Sequence, residues 1–131
     1  MNTMPQSAET VLALLTYLLV KHVLFDFVFQ SSWQVENKGR YGHPAGFVHA
    51  GLHGLGTFAA LLLAHMPLEI SAMLGLGEGV FHYHADWAKD QITRRFAWTP
   101  KDQAFWTALG IDQTVHHASY LAVAAIAVMI A

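Results

Sequence analysis

The chain has 131 residues, 54% of them hydrophobic and only 12% charged, and a formal net charge of −2. Its mean hydropathy is +0.35. That length fits one domain, that composition belongs to membrane proteins, and the slight negative charge argues against nucleic-acid binding, which needs a basic surface. With no cysteine, the chain has no disulfide, iron–sulfur cluster or thiolate zinc site, so any metal must bind through His, Asp, Glu, carbonyl or water.

Four helices are predicted in chain order. The start, MNTMPQSAET, lacks a basic segment and carries Glu9, which argues against a cleavable signal peptide and for a true first span. Helix one is expected over residues 10–30, capped by Ser7 or Thr10, with an apolar Leu/Val half followed by Lys21, His22 and Asp26. A polar loop over residues 31–44 follows, with Gly39, Gly42 and Pro44 as breakers. Helix two is expected over 45–66, ended by Pro67, helix three over 68–95 and helix four over 103–131. Each can supply the ~20 residues that cross a bilayer.

Charge orients these spans. Lys38 and Arg40 lie between helices one and two, and Lys89, Arg94, Arg95 and Lys101 near the connection from three to four. The positive-inside rule places both basic loops in the cytoplasm and both termini outside. Trp33, Tyr41, Trp87, Trp98 and Trp106 fall at that same inner boundary, as an aromatic belt does. The expected fold is therefore all-α: a four-helix transmembrane bundle with a polar site in its cytoplasmic half.

The polar residues of the spans recur at helical spacing. They read His22-x3-Asp26-x3-Gln30, His49-x3-His53, His82-x3-Asp86-x2-Lys89 and Asp112-Gln113-x2-His116. Four residues turn a helix by only ~40°, so each pair projects one way. Ionisable groups cost ~2.5–3.5 kcal/mol each at the centre of a span, so their regular placement points to joint use. Under the inferred topology all four motifs lie at similar depth. Five imidazoles (His22, His49, His53, His82 and His116) and three carboxylates (Asp26, Asp86 and Asp112) exceed what one tetrahedral ion needs. They suit one or two divalent transition metals, with zinc first and iron or manganese as alternatives. Glu78, four residues before His82, is a further candidate ligand, and Gln30 a secondary one. His43 and His65 read as loop or interface residues, and His84 and His117 point away from the shared faces.

The strings HVLFDFVFQ, HAGLH, HYHADWAK and DQTVHH resemble DUF3307, a family of small bacterial and phage-associated membrane proteins of unknown function. All four elements occur in order, and the resemblance implies that the motif positions above are the family's characteristic ones. It also implies the bacterial cytoplasmic membrane. A looser similarity of style links the arrangement to YdjM-type membrane metal-dependent hydrolases.

On chemistry, the first expectation is a metal-dependent hydrolase at the cytoplasmic leaflet acting on a lipid-like or anionic substrate. Asp26 or Asp86 serves as general base, while Lys89 and Gln113 hold the anion. The alternatives are a metal carrier, sensor or assembly subunit without catalysis, and a di-iron oxidoreductase. A hydrogen-bonded network that only holds the helices together is the plainest alternative. The partner expected is membrane lipid. Gly75-x3-Gly79 is a small-residue contact motif that serves either a homo-oligomer or packing within the chain.

Overall fold

A computed structural model describes residues 8–130, and these contain five α-helices and no strand. Helix α1 (Ala8–Val23) runs into a π-helical turn (Leu24–Val28) and is followed by α2 (Ser32–Asn37). The three long helices α3 (Pro44–Leu63), α4 (Leu68–Arg95) and α5 (Gln103–Ile130) complete the chain. Helix α3 packs on α1 and α4, and α5 packs on the same two, so the long helices close a ring with α1 and α4 at opposite corners.

Local chemistry explains where the elements depart from expectation. Helix α1 is already formed at Ala8, so Thr10 lies inside its first turn; Ser7 lies outside the described residues. Its end is not a regular α-helix to residue 30. The Phe29 N–H donates to the Leu24 carbonyl (2.7 Å), a five-residue step that widens the turn around Asp26 and stops the helix at Val28. Residues 31–44 are not all loop: α2 starts where the Ser31 hydroxyl accepts from the Gln34 N–H (3.3 Å).

Pro44 is the first residue of α3 rather than a breaker, a place where a missing N–H costs nothing. Nor does Pro67 end that helix. Helix α3 stops at Leu63, and His65, at φ 60°, reverses the chain while His65 and Met66 donate to the carbonyls of Leu62 and Leu61 (both 3.0 Å). Pro67 instead precedes α4. Helix α4 ends the same way, with Ala97 at φ 52° and Trp98 N–H donating to the Thr93 carbonyl (3.0 Å). In the turn that follows, the Thr99 backbone N–H (2.8 Å) and hydroxyl (2.9 Å) donate to Asp102 and hold its carboxyl below the usual range.

Helices α1 (with its π turn), α3 and α5 are long and apolar enough to cross a membrane. Helix α4 has the length, but Glu78, His82, Asp86, Lys89 and Asp90 keep it below that apolar standard, so three spans qualify by composition rather than four. The surface is inverted relative to a soluble protein. Leu12, Val20, Phe29, Leu63, Met73 and Leu76 are more than half exposed, whereas Lys21, His22, His53, His82, Asp86 and His116 are buried. A surface of this kind is stable against hydrocarbon and not against water.

The buried interior has two zones. Leu14, Leu18, Leu61, Tyr120, Val123 and Ala127 form an apolar core near one end. The ionisable residues fill the other. Helices α3 and α4 cross almost backbone to backbone: a methyl group on Gly54 would sit 2.8 Å from the Gly75 carbonyl oxygen, and one on Gly75 2.9 Å from that of Gly54. Gly75 and Gly79 thus serve packing within the chain, against Ala50 and Gly54 of α3.

Candidate metal centre

The deep face of α3 is Ala50, His53, Thr57 and Leu61, with His49 one turn earlier beside it; on α4 it is Ser71, Gly75, Glu78, His82 and Asp86. Because small residues draw these helices together, their imidazoles meet. The rings of His53 and His82 stack at 3.7 Å between centroids, and those of His82 and His116 at 4.0 Å. His49 Nε2 lies 3.2 Å from His82 Nε2. From the π turn, Asp26 Oδ1 reaches His49 Nε2 (3.0 Å), His53 Nε2 (3.0 Å) and His82 Nε2 (3.7 Å).

Ligand atoms of Asp26, His49, His53 and His82 all lie within 4.8 Å of one another, and so do those of His82, Asp86 and His116. The two groups share His82. A tetrahedron with bonds of ~2.1 Å has edges of ~3.4 Å, in the middle of the observed separations. Hydrogen bonding accounts for the crowding less well. His49 Nε2 has four polar neighbours, namely Asp26 Oδ1 (3.0 Å), Asp86 Oδ2 (3.2 Å), His82 Nε2 (3.2 Å) and Lys38 Nζ (3.3 Å). That nitrogen carries at most one hydrogen, and a cation among the donors satisfies what one proton does not.

Charge is compatible with a bound cation. Asp26, Glu78, Asp86 and Asp112 are all buried, and Lys21 and Lys38 are the lysines in ion pairs with them, at 3.4 Å to Glu78 and 2.9 Å to Asp86. Four carboxylates against two ammonium groups leave two negative charges. One divalent cation balances them, as would two protonated imidazoles.

The remaining expected residues stand around the centre. His22 is outside both donor groups: its Nε2 faces Gln113 Oε1 (2.7 Å) and Asp26 Oδ2 (3.2 Å), and the Tyr120 hydroxyl meets its Nδ1 (2.8 Å). Asp112 lies 3.4 Å from His116 Nε2 and accepts from Gln113 Nε2 (3.1 Å), an orienting position. Gln113 is therefore engaged with His22 and Asp112 rather than free for an anion. Glu78 sits behind His82, 3.6 Å from Nδ1, on the edge of the ring opposite the cluster, so it backs a donor instead of adding one. Gln30, beyond the helix end, turns back to donate to the Asp26 carbonyl. His43 caps α3, His65 makes its terminal turn, and His84 pairs with Tyr41 on the exposed surface (3.1 Å).

Four contributors, Lys21, Thr57, Tyr120 and Lys38, escaped the motifs. Lys21, 4% exposed, donates to the His53 carbonyl (2.8 Å) and lies 3.4 Å from Glu78 and from the Tyr120 hydroxyl, with Gly56 leaving room for its stem. Thr57 donates to Glu78 (3.1 Å). Lys38 enters from the end of α2. Thr57 and Tyr120 were legible as the next positions, four residues on, after His53 and His116; Lys21 continues the stripe of Leu14 and Leu18.

A cavity of about 120 Å³ opens beside the centre, its polar wall made by Asp26, Asp86, Asp90 and Asp112, by Gln30 and Gln113, and by Lys38 and Lys89. At ~30 Å³ per water it holds a few waters or one small polar group. Lys89 is half-buried at its edge, and no ion pair to its ammonium group is found among the described residues.

No curated protein and no solved structure matches the chain. A family model described as "Protein of unknown function (DUF3307)" matches residues 14–131, and the chain belongs to that family.

Proposed function

We propose that the protein is a four-helix transmembrane bundle holding a divalent transition metal, and that it works as a metal-dependent hydrolase at the cytoplasmic leaflet. The observation that carries the metal is the crowding around His49 Nε2, where four polar neighbours lie within 3.3 Å of a nitrogen that carries at most one hydrogen. Asp26, His49, His53 and His82 form one ligand set and His82, Asp86 and His116 the other, with zinc favoured over iron or manganese. Such a metal lowers the pKa of a bound water to about 7 and polarises the bond to be cut.

The chain's own residues supply the rest. Asp86 or Asp26, on the cavity wall, takes the proton of the attacking water at a carboxylate oxygen. Lys89 attracts an anionic group into the cavity, Lys38 stays paired with Asp86, and Gln113 fixes His22 and Asp112. The apolar core beyond Tyr120 closes the site on its far side, against a through-going channel. The reading is tested in proteoliposomes of the purified protein with zinc or manganese, following release from phosphate-ester and acyl-ester lipids. Turnover that is lost in His82→Ala and on chelation supports it. No turnover on either class, with metal bound, rejects catalysis.

A non-catalytic metal carrier or sensor is the second reading. It is favoured by the burial of the imidazoles: His22, His53, His82 and His116 are all 0% exposed.

A further inference from the structure

We infer that the seam between α4 and α5 seats the hydrocarbon tail of a phosphate-headed membrane lipid, delivering its head group to the polar cavity past Lys89. The inference rests on the proposed site, for which it names the substrate class. Three spaces are arranged in series. The polar cavity of about 120 Å³ shares Lys89 and Asp112 with an apolar groove of about 600 Å³, whose walls include Ala88, Ile92, Ala104 and Ala108. That groove in turn shares Val115 with a second one of about 490 Å³, bordered by Met73, Leu74, Phe81 and Val123. From Lys89 back to Met73 the seam follows ~24 Å of helix, longer than one leaflet of a hydrocarbon core ~30 Å thick. A whole lipid tail fits that length.

Lys89 and Asp112 share the junction, and the lysine is the group there that draws an anionic head. Lys21 and Lys38 are in ion pairs with carboxylates, whereas the Lys89 ammonium, where groove meets cavity, has no such partner among the described residues. An unpaired, half-buried cation at the inner end of an apolar channel suits a phosphate oxygen. The cavity is large enough for such a head group and too small for a tail, so the tail must remain outside in the seam. The groove between α3 and α4 provides the contrast. It measures about 560 Å³ and is lined by Phe47, Gly51, Leu55, Leu76 and Val80, yet it shares no lining residue with the polar cavity.

The test uses full-length protein in phosphatidylcholine nanodiscs with a phosphatidic acid carrying a photoactivatable diazirine in its tail. Labelled peptides are mapped by mass spectrometry, and metal content is measured on the same samples. Labelling is expected to favour α4 and α5 seam residues over the α3–α4 groove by about tenfold, and to be displaced by unlabelled phosphatidic acid but not by added phosphatidylcholine. Ala104→Phe and Ala108→Phe, which fill the groove, should each reduce it with metal content unchanged. Lys89→Met should lower it about fivefold. Labelling spread evenly over all lipid-facing helices, or equal competition by phosphatidylcholine, overturns the inference, and with metal bound leaves the metal centre standing. Metal-free protein that still captures the probe at the seam upholds the lipid site while removing the hydrolase reading.

Discussion

Asp112 is a cleaner probe of charge at the centre than Asp86. Asp86 is ion-paired with Lys38 at 2.9 Å, and removing one partner of a buried pair costs ~3–5 kcal/mol. The polar contacts of Asp112 among the described residues are with His116 and Gln113, and an amide oxygen can still accept from Gln113. Asp112→Asn is therefore expected to fold and insert normally, with a thermal midpoint in metal-free form equal to or above wild type, yet to bind metal ~10–100-fold more weakly. Melting curves and metal titration in detergent check both halves; loss of folding with metal affinity retained would make Asp112 a packing residue. A second test lies behind the cluster. Lys21→Met strands Glu78 and should destabilise by ~3 kcal/mol, whereas the double change Lys21→Met with Glu78→Gln should recover most of the loss. A double change as damaging as the single one would show that Lys21 acts through the His53 carbonyl instead. At this scale much of the centre was legible, because positions four apart share a helical face whatever surrounds them. Lys38 was not: its approach depends on how α2 docks, which no spacing within one helix records.

Between elements, the backbone contact of α3 and α4 governs the centre, since it sets His49 and His53 against His82 and Asp86. Gly54→Ala should push the helices apart, cost ~1–3 kcal/mol and weaken metal binding although it alters no ligand. Gly51→Ala, on the same helix with open space around it, should do neither. Equal behaviour of the two in melting and metal content would contradict the close approach. The terminal turn of α4 makes the opposite demand: Ala97 has φ 52°, where a side chain is strained, so Ala97→Gly should raise stability by up to ~1 kcal/mol in the same melts. Helices α4 and α5 followed their sequence signals closely, bounded by Pro67 and the TPKD turn. The missed features were those of termini. Pro44 and Pro67 both precede or open helices, a role identical in composition to a breaker, and Ser31-x2-Gln34 was a capping signal within what read as loop. The π turn at Asp26 has no local signature. It arises where Asp26 reaches inward to three imidazoles from α3 and α4, a tertiary demand.

For the molecule as a whole, apolar side chains face outward and ionisable ones inward, so a bilayer is the medium in which this packing is stable. Lys38, Arg40 and Lys101 lie on connections and Arg94 and Arg95 in the last turn of α4, a distribution from which the positive-inside rule expects both termini outside. Reporter fusions at the C-terminus and after Arg40 should accordingly report opposite sides; a cytoplasmic C-terminus would refute that orientation and the leaflet assigned to the site. The composition already announced a membrane protein, but only the packed chain separates donors such as His82 from supports such as His22, because both carry the same motif and differ in what faces them. The central claim is the metal. Element-specific mass spectrometry on detergent-purified protein without a histidine tag is expected to find one or two transition-metal ions per chain. His53→Ala, His82→Ala and His116→Ala should each lose at least one, and His43→Ala and His65→Ala none. Wild-type protein that is metal-free after gentle purification, and takes up no added zinc, iron or manganese, would show instead that protonated imidazoles balance the buried carboxylates and that the centre is a hydrogen-bonded network.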